Sequence, residues 1–141
     1  MAATFLLEIV TPERMFFNEQ VEMLIFKTPE GEIGIMKNHA PIVAAVDASS
    51  IRIKMRDASK KMANEGWVTA SVTTGFAQIL GERVVLLVDT AEWPNEIDFN
   101  RALEAKKRAE ERLQGKLNAQ EQAQTQAALS RALARLSVKD L

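Results

Sequence analysis

Three arginines in the last third of the chain have the spacing of an anion-binding site. Arg131 and Arg135 are four residues apart, so on a helix they project from neighbouring points of one face. Like charges at this spacing destabilise a helix unless an anion offsets them, and guanidinium groups bind phosphate through a fork of donors. Arg101 would join them if the helices that carry these residues form an antiparallel hairpin. A solvated basic face explains the same spacing, so both interpretations stay open at this point.

Residue types that carry catalysis are almost absent from the sequence. The chain contains one histidine and neither cysteine nor tyrosine. His39 lies in a turn-like segment, where a lone histidine is more often structural than catalytic, and there is no phosphate-binding P-loop motif. The acidic pair Glu30 and Glu32 lies on a turn, where a solvated surface is the simplest interpretation. The sequence therefore predicts a protein that is not an enzyme and that requires neither a cofactor nor a metal.

Charge and hydropathy exclude several classes of partner. The net charge is −1, whereas nucleic-acid binding usually needs a clustered basic surface. Residues 1–97 carry 9 basic and 13 acidic side chains, and residues 98–141 carry 9 and 6, so a mildly acidic body precedes a mildly basic tail. No apolar run approaches the roughly 18 to 20 residues that cross a bilayer, and we find no signal peptide. We therefore expect a soluble, intracellular protein that inserts into no membrane and binds no nucleic acid.

The first ninety residues predict an antiparallel β-sandwich or flattened barrel, because short strand-like segments alternate with turns and no helix intervenes. Ile51–Arg56 alternates between apolar and basic residues, so we expect it to have one dry and one wet face. Val84–Val88 is apolar throughout, as expected for a strand that is covered on both sides. Asn64, Glu65 and Gly66 predict one of the turns. The predicted strands are Phe5–Thr11, Val21–Lys27, Glu32–Met36, Ile42–Val46, Ile51–Arg56, Trp67–Val72, Phe76–Leu80 and Val84–Asp89.

The sequence changes character near Trp93 and Pro94, after which it becomes rich in alanine and charge. Asp98 is a good N-cap for a helix that runs to about Gln114, and Gly115 supplies a stop. A second helix is predicted from about Ala119 to Leu136, so the pair forms an antiparallel hairpin. We accordingly predict an α+β protein with a sandwich domain at residues 1–90 and a helical domain at residues 91–141.

The predicted helices have small apolar faces. In the first helix, one side collects Phe99, Ala102, Ala105, Ala109 and Leu113. In the second helix, one stripe contains Leu129, Leu133 and Leu136, and a separate stripe contains Ala123, Ala127, Ser130 and Ala134. Two stripes indicate either a helix that packs on both the other helix and the body, or a tail with two alternative positions. Alanine seams are weak, because one buried methyl group is worth only about 0.8 kcal/mol, so a mobile hairpin is plausible.

These features together resemble the ε subunit family of the F-type ATP synthase, called δ in mitochondria. The resemblance rests on three blocks in the family's order and spacing. The first combines Thr28–Ile35 with Asn38-His39-Ala40-Pro41, the second combines Asp89–Glu92 with Ile97–Ala102, and the third is Glu104–Glu111. Lys37 and Thr73-Thr74 depart from the usual residues without putting a function in doubt.

The resemblance implies a sandwich of about ten strands followed by the two-helix domain. It also implies a non-catalytic subunit of the central stalk that binds γ, rests on the ring of c subunits and lies peripherally at the cytoplasmic face of a bacterial cell membrane. In this family, the loop that corresponds to Glu30, Glu32 and His39 lies close to the c-ring. The helical tail of bacterial members resembles a ratchet, which either folds on the sandwich or extends into the α/β catalytic head and restrains ATP hydrolysis.

Some bacterial members bind ATP in the folded hairpin, and the residues of that motif are present here. They are Glu92, Ile97, Asp98, Arg101, Ala102, Arg131 and Arg135. The resemblance therefore implies that ATP is a regulatory ligand, which would favour the folded tail over the inhibitory one. The alternative is a structural adaptor of the rotor with a permanently folded tail and no nucleotide sensing. An unrelated sandwich that binds a small molecule would instead fail to associate with γ.

Overall fold

The computed structural model describes residues 3–56 and 66–138, so Asn64 and Glu65 of the predicted turn lie outside the described residues. The described part contains nine strands, a 3-10 turn at Pro94–Glu96 and two helices. The strands are β1 (Phe5–Val10), β2 (Met15–Thr28), β3 (Gly31–Ile35), β4 (Ile42–Val46), β5 (Ser49–Met55), β6 (Trp67–Val72), β7 (Gly75–Ile79), β8 (Arg83–Val88) and β9 (Ala91–Glu92). The helices are α1 (Phe99–Leu113) and α2 (Ala119–Ser137). The predicted sandwich and hairpin are thus confirmed.

The strands form a continuous hydrogen-bonded order, β4-β7-β8-β1-β2-β5-β6-β9, with β3 paired to β2. Strand β2 has 14 residues and belongs to both layers of the sandwich. Its first half pairs with β1 and belongs with β4, β7, β8 and β1 to the first layer. Its second half pairs with β3 and β5 and belongs with β3, β5, β6 and β9 to the second layer. Every described pairing is antiparallel except that of β1 with β8, which is parallel. Strand β9 pairs with β6, so the sheet continues beyond residue 90, where the sequence placed the domain boundary.

The core lies between the two layers and is built from the inward faces of the strands. Its largest fully buried side chains are Phe5, Phe26, Leu7, Ile9, Leu24, Ile35, Ile51, Ile53, Ile79, Leu86, Val21 and Val46. Strand β5 follows the predicted alternation, with Ile51, Ile53 and Met55 buried and the residues between them partly exposed. Because apolar residues at every second position share one face of a strand, alternation in the sequence is enough to form this core.

The prediction that β8 is covered on both sides is wrong. Val84, Leu86 and Val88 are buried, but Leu87 is 52% exposed. It belongs to a line of cross-strand neighbours on the outer face of the first layer, which we call the apolar row. The row consists of Ala45, Phe76, Leu87, Val10 and Met15, each paired with the next. Phe76 is 62% exposed and Met15 is 50% exposed. No element in the described part of this chain therefore covers the outer face of β8.

The two helices begin as predicted, and α2 covers the outer face of the second layer while α1 packs on α2. Asp98 caps α1 by accepting a hydrogen bond from the backbone N–H of Arg101, and Asn118 caps α2 in the same way. Helix α2 packs on β5 and β6. The predicted face of α1 is confirmed, since Ala102 and Ala109 are buried. The stripes predicted for α2 are wrong in part, because its buried residues are Thr125, Ala132 and Ala134, whereas Ala123, Ala127 and Ser130 are exposed.

A substitution at Gly75 tests the close contact between β7 and β8. A Cβ atom at this position would lie 1.9 Å from the carbonyl oxygen of Leu87 and 2.7 Å from the Cα of Val88. Because these are backbone atoms, they cannot move aside without disturbing the strand, so we expect Gly75→Ala to lower the free energy of unfolding by about 3 kcal/mol. Urea denaturation measures this change. Gly115→Ala is the control, because its nearest new contact is at 3.6 Å; equal stabilities of the two variants would contradict the packing.

Candidate functional site

A groove-like cavity of about 380 Å³ lies where the start of α1 meets the end of α2 and the last strand of the sandwich. Its lining residues are Glu92, Glu96, Asp98, Arg101, Ala102, Ala105, Arg108 and Arg135. The antiparallel hairpin creates this arrangement, because it places the first turns of α1 beside the last turns of α2. Three arginines and three carboxylates therefore face one space, which is suited to an anion with additional hydrogen-bonding groups.

Five of the seven residues that the sequence assigned to a nucleotide site line this cavity. They are Glu92, Asp98, Arg101, Ala102 and Arg135. Ile97 is only 9% exposed and is not among the lining residues. Arg131 is exposed on α2 and is not among the lining residues, although it lies one turn before Arg135. The folded hairpin thus gathers Arg101 and Arg135 but leaves Arg131 at the margin.

Arg108 is a cavity residue that the sequence reasoning missed. It follows Arg101 by seven residues, which is two turns of helix, so both side chains project from the same face of α1. That spacing is the signal that could have identified it. Within the described residues, no side chain forms an ion pair with the guanidinium of Arg101, Arg108 or Arg131. These three groups are therefore available to an anionic ligand.

Arg135 is held differently from the other arginines of the cavity. Its Nε donates to Oε1 of Glu92 at 2.7 Å, and the two side chains are 35% and 26% exposed. Glu92 belongs to strand β9, so this ion pair joins the end of the hairpin to the sandwich. A ligand that binds the guanidinium of Arg135 must compete with the carboxylate of Glu92.

Glu96 fixes the segment that leads from the sandwich to α1. Its Oε1 accepts hydrogen bonds from Nη2 of Arg14 and from the backbone N–H of Trp93, both at 2.9 Å. The hydrogen bond from Arg14, followed by that from Trp93, lowers the pKa of Glu96 below its ordinary value. Trp93 stacks on Phe16 with ring centroids 4.4 Å apart. The chain therefore enters α1 along a fixed path.

The second predicted site is spread over two ends of a strand. Glu30 lies in the exposed turn before β3, and Glu32 forms an ion pair with Arg52 at 3.3 Å. His39 follows β3, and its Nδ1 donates to the carbonyl oxygen of Ala40 at 2.8 Å. A strand of five residues is about 17 Å long, so the structure does not bring His39 next to the acidic turn.

A cleft of about 520 Å³ lies between the acidic turn and strand β4. It is lined by residues 28–33 and by Ile42–Ala45. Val43 in this cleft is 70% exposed. The acidic turn thus borders an exposed apolar surface, which is a composition suited to a protein partner. His39 does not line the cleft.

Groups for the other chemistries are not found in the described part of the chain. Residues 3–56 and 66–138 contain no cluster of three or more His, Cys, Asp or Glu side chains that could hold a metal ion. Neither α1 nor α2 is both long and apolar enough to span a bilayer.

Comparisons with known proteins agree with the two-part fold. Residues 4–94 match the beta-sandwich domain of the ATP synthase delta/epsilon chain, and residues 95–140 match the long alpha-helix domain of the same family. The ATP synthase epsilon chain of Ruminiclostridium cellulolyticum is 50% identical over 109 residues, which are 77% of this chain and 75% of that protein. The epsilon chain of Alkaliphilus oremlandii is 44% identical over 110 residues, covering 78% and 76%.

Solved structures show the same fold at low sequence identity. A chain of the mitochondrial ATP synthase of Euglena gracilis superposes with a TM-score of 0.81 at 19% identity, covering all of this chain and 84% of that one. A chain from the central stalk and c-ring of the Tetrahymena thermophila enzyme gives 0.65 at 13% identity, covering 99% and 97%. The family matches extend over both the sandwich and the hairpin, so this chain belongs to the delta/epsilon chain family of the ATP synthase.

Proposed function

We propose that this protein is a non-catalytic subunit of the central stalk of an F-type ATP synthase, where it links the rotor to the catalytic head. The observation that carries the proposal is the contrast between the two outer faces of the sandwich. One face is covered by the hairpin, whereas the other presents the apolar row to solvent. An exposed apolar surface of this kind marks a protein interface. A bacterial member of the family would act at the cytoplasmic face of the cell membrane, without inserting into it.

The apolar row is the surface on which we place the γ subunit. Phe76 and Leu87 form its centre and are both more than half exposed. Large apolar side chains at the centre of a patch carry most of the affinity of a typical interface. The acidic turn with Glu30 and Glu32, and the loop with His39, lie near two ends of β3 and are the candidate contacts with the c-ring. Because they are separated, we expect them to contact different points on the ring.

Phe76→Glu and Leu87→Glu test the γ interface. Each places a charge in the apolar row, so we expect affinity for the cognate γ subunit to fall by about tenfold or more. Calorimetry with purified γ measures the loss, and thermal unfolding of the free chain should change little because both side chains are exposed. Leu103→Glu is the control, since Leu103 is a 41% exposed leucine on α1. Undiminished binding by both sandwich variants would place γ on another surface.

The hairpin is proposed to be the brake on ATP hydrolysis. Its contacts are weak, because its buried side chains are all small, namely Ala102, Ala109, Thr125, Ala132, Ala134 and Val138. The four alanine methyl groups among them contribute on the order of 3 kcal/mol before the cost of ordering the chain. A hairpin held this weakly can exchange its contacts with the sandwich for contacts with the acidic surface of the α/β head. The excess of basic over acidic residues after residue 97 favours that exchange.

Removing the hairpin tests the brake. We expect the full chain to suppress ATP hydrolysis when it is added to a catalytic head depleted of this subunit. A chain ending at Pro94 should still bind but should not suppress hydrolysis, because the core of the sandwich lies entirely before that residue. The rate of phosphate release measures both. Equal effects of the two chains would mean that the sandwich is the working part and that the hairpin is not the brake.

ATP is the proposed ligand of the 380 Å³ cavity. The guanidinium groups of Arg101, Arg108 and Arg135 face that cavity and suit the triphosphate. A ligand that binds only the folded hairpin stabilises it by RT ln(1 + [L]/Kd), which is about 2.7 kcal/mol at a hundredfold excess. This figure is similar in size to the buried alanine contacts, so ATP could decide whether the hairpin stays folded. Arg131 is proposed to assist from the margin of the cavity.

Arg101→Ala with Arg108→Ala tests this ligand. Loss of two charge-assisted contacts should lower ATP affinity by about a hundredfold. Calorimetry on the free chain provides the measurement. Arg112→Ala is the control, because Arg112 lies in the last turn of α1 and not in the cavity. Arg131→Ala is expected to have a smaller effect than Arg135→Ala. Absence of binding to the unsubstituted chain would remove ATP from the proposal and leave its rotor function in place.

A further inference from the structure

A second cavity of about 510 Å³ adjoins the proposed ligand cavity. Its lining residues are Thr11, Glu13, Arg14, Asp89, Thr90, Ala91, Glu92, Glu96 and Arg135. The two cavities share Glu92, Glu96 and Arg135, so these side chains form the wall between them. Arg14 is the cation that the sandwich contributes, and neither the sequence motif nor the cavity between the helices includes it.

Arg14 is bound to residues 91–98, the segment from β9 to the cap of α1, which we call the linker. Its Nη2 donates to Glu96 at 2.9 Å and to the carbonyl oxygen of Ala91 at 3.2 Å. Its guanidinium also lies 5.0 Å from the centroid of Phe16, which stacks on Trp93. Arg14 therefore contacts the linker both before and after Trp93.

The turn that carries Arg14 is itself fixed. The hydroxyl of Thr11 accepts hydrogen bonds from the backbone N–H groups of Glu13 and Arg14, and it donates to the carbonyl oxygen of Arg14. Because this turn connects two strands of the core, the position of Arg14 is tied to the sandwich rather than to the hairpin. Arg14 therefore connects a rigid body to the segment from which the hairpin departs.

The two carboxylates of the linker each hold one arginine. Glu96 holds Arg14 of the sandwich, and Glu92 holds Arg135 of the hairpin. The negative charges of Glu96, Glu13 and Glu92 all raise the pKa of Arg14, with the hydrogen bond to Glu96 as the main cause. Arg14 and Glu92 line the same cavity, so the negative charge of Glu92 also acts on Arg14, although its carboxylate is bound to Arg135.

We propose that Arg14 is a positioning residue for the ligand cavity. It fixes the linker through Glu96 and Ala91, and thereby presents Glu92 to Arg135 while the hairpin is folded. When a phosphate group binds Arg135 and breaks its ion pair with Glu92, Arg14 offsets the unpaired negative charge of Glu92. Arg14 thus makes the folded hairpin more stable and makes Arg135 easier to transfer to the ligand. The second effect rests on the proposed binding of ATP, whereas the first does not.

Amide exchange of α2 in the free, full-length chain without nucleotide tests the first effect. Arg14→Gln and Glu96→Gln should each accelerate exchange by about threefold to tenfold, and the double variant should add little, because both remove the same ion pair. Arg14→Lys should restore part of the protection. Arg83→Gln is the matched control, since it breaks an ion pair with Glu8 between β8 and β1, away from the linker. Exchange in Arg14→Gln equal to that of the unsubstituted chain would overturn the proposal.

Calorimetry with ATP tests the second effect. Arg14→Gln should weaken binding by about fivefold, in keeping with a half-exposed charge pair. The same substitution should have no effect in a Glu92→Gln background, because no charge is then left for Arg14 to offset. A purely structural Arg14 would weaken binding equally in both backgrounds, and that result would overturn this effect. If the unsubstituted chain binds no ATP, accelerated exchange in Arg14→Gln still supports the positioning of the hairpin, and only the nucleotide proposal fails.

Discussion

Strand β2 is the constraint on which the rest of the structure depends, because one strand must serve both layers of the sandwich. In its first half Phe17 and Val21 are buried at odd-numbered positions, with Phe16 also buried and stacked on Trp93, and in its second half Leu24 and Phe26 are buried at even-numbered positions. A strand alternates strictly, so this change of phase requires an irregularity, and the pairing with β5 shifts between Val21 and Met23. The shift lets the strand pass from one layer to the next while its apolar side chains stay in the core.

The two outer faces of the sandwich differ in what covers them. Helix α2 covers β5 and β6 mainly through small buried side chains, among them Ala132 and Ala134. The opposite face keeps Phe76 and Leu87 exposed. Large apolar side chains bury far more area than alanines do, so the uncovered face has the greater capacity for a lasting contact. This difference is the basis for proposing that γ binds the uncovered face and that the hairpin on the other face is the regulatory part.

The linker forms ion pairs with both the sandwich and the hairpin. It supplies Glu92 and Glu96, which lie in the wall shared by two cavities and hold arginines from opposite sides. Both ion pairs are partly exposed, so each contributes modestly and each is replaceable by a ligand. Partly exposed ion pairs are easier to rearrange than buried ion pairs, because breaking them does not leave an unpaired charge in the core.

The sequence by itself determined the order of strands and helices, because alternation, turn residues and the cap at Asp98 are local signals. It also indicated most of the cavity, since Asp98, Arg101 and Arg135 lie on helices whose pairing follows from a short connection. It did not separate Arg131 from Arg135, because the rotation of α2 about its axis is set by packing on β5 and β6. The exposure of Leu87 and the contacts of Arg14 were decided only by the tertiary structure. The exposure of Leu87 depends on whether another layer covers that face of β8. The contacts of Arg14 join residues more than seventy positions apart in the sequence.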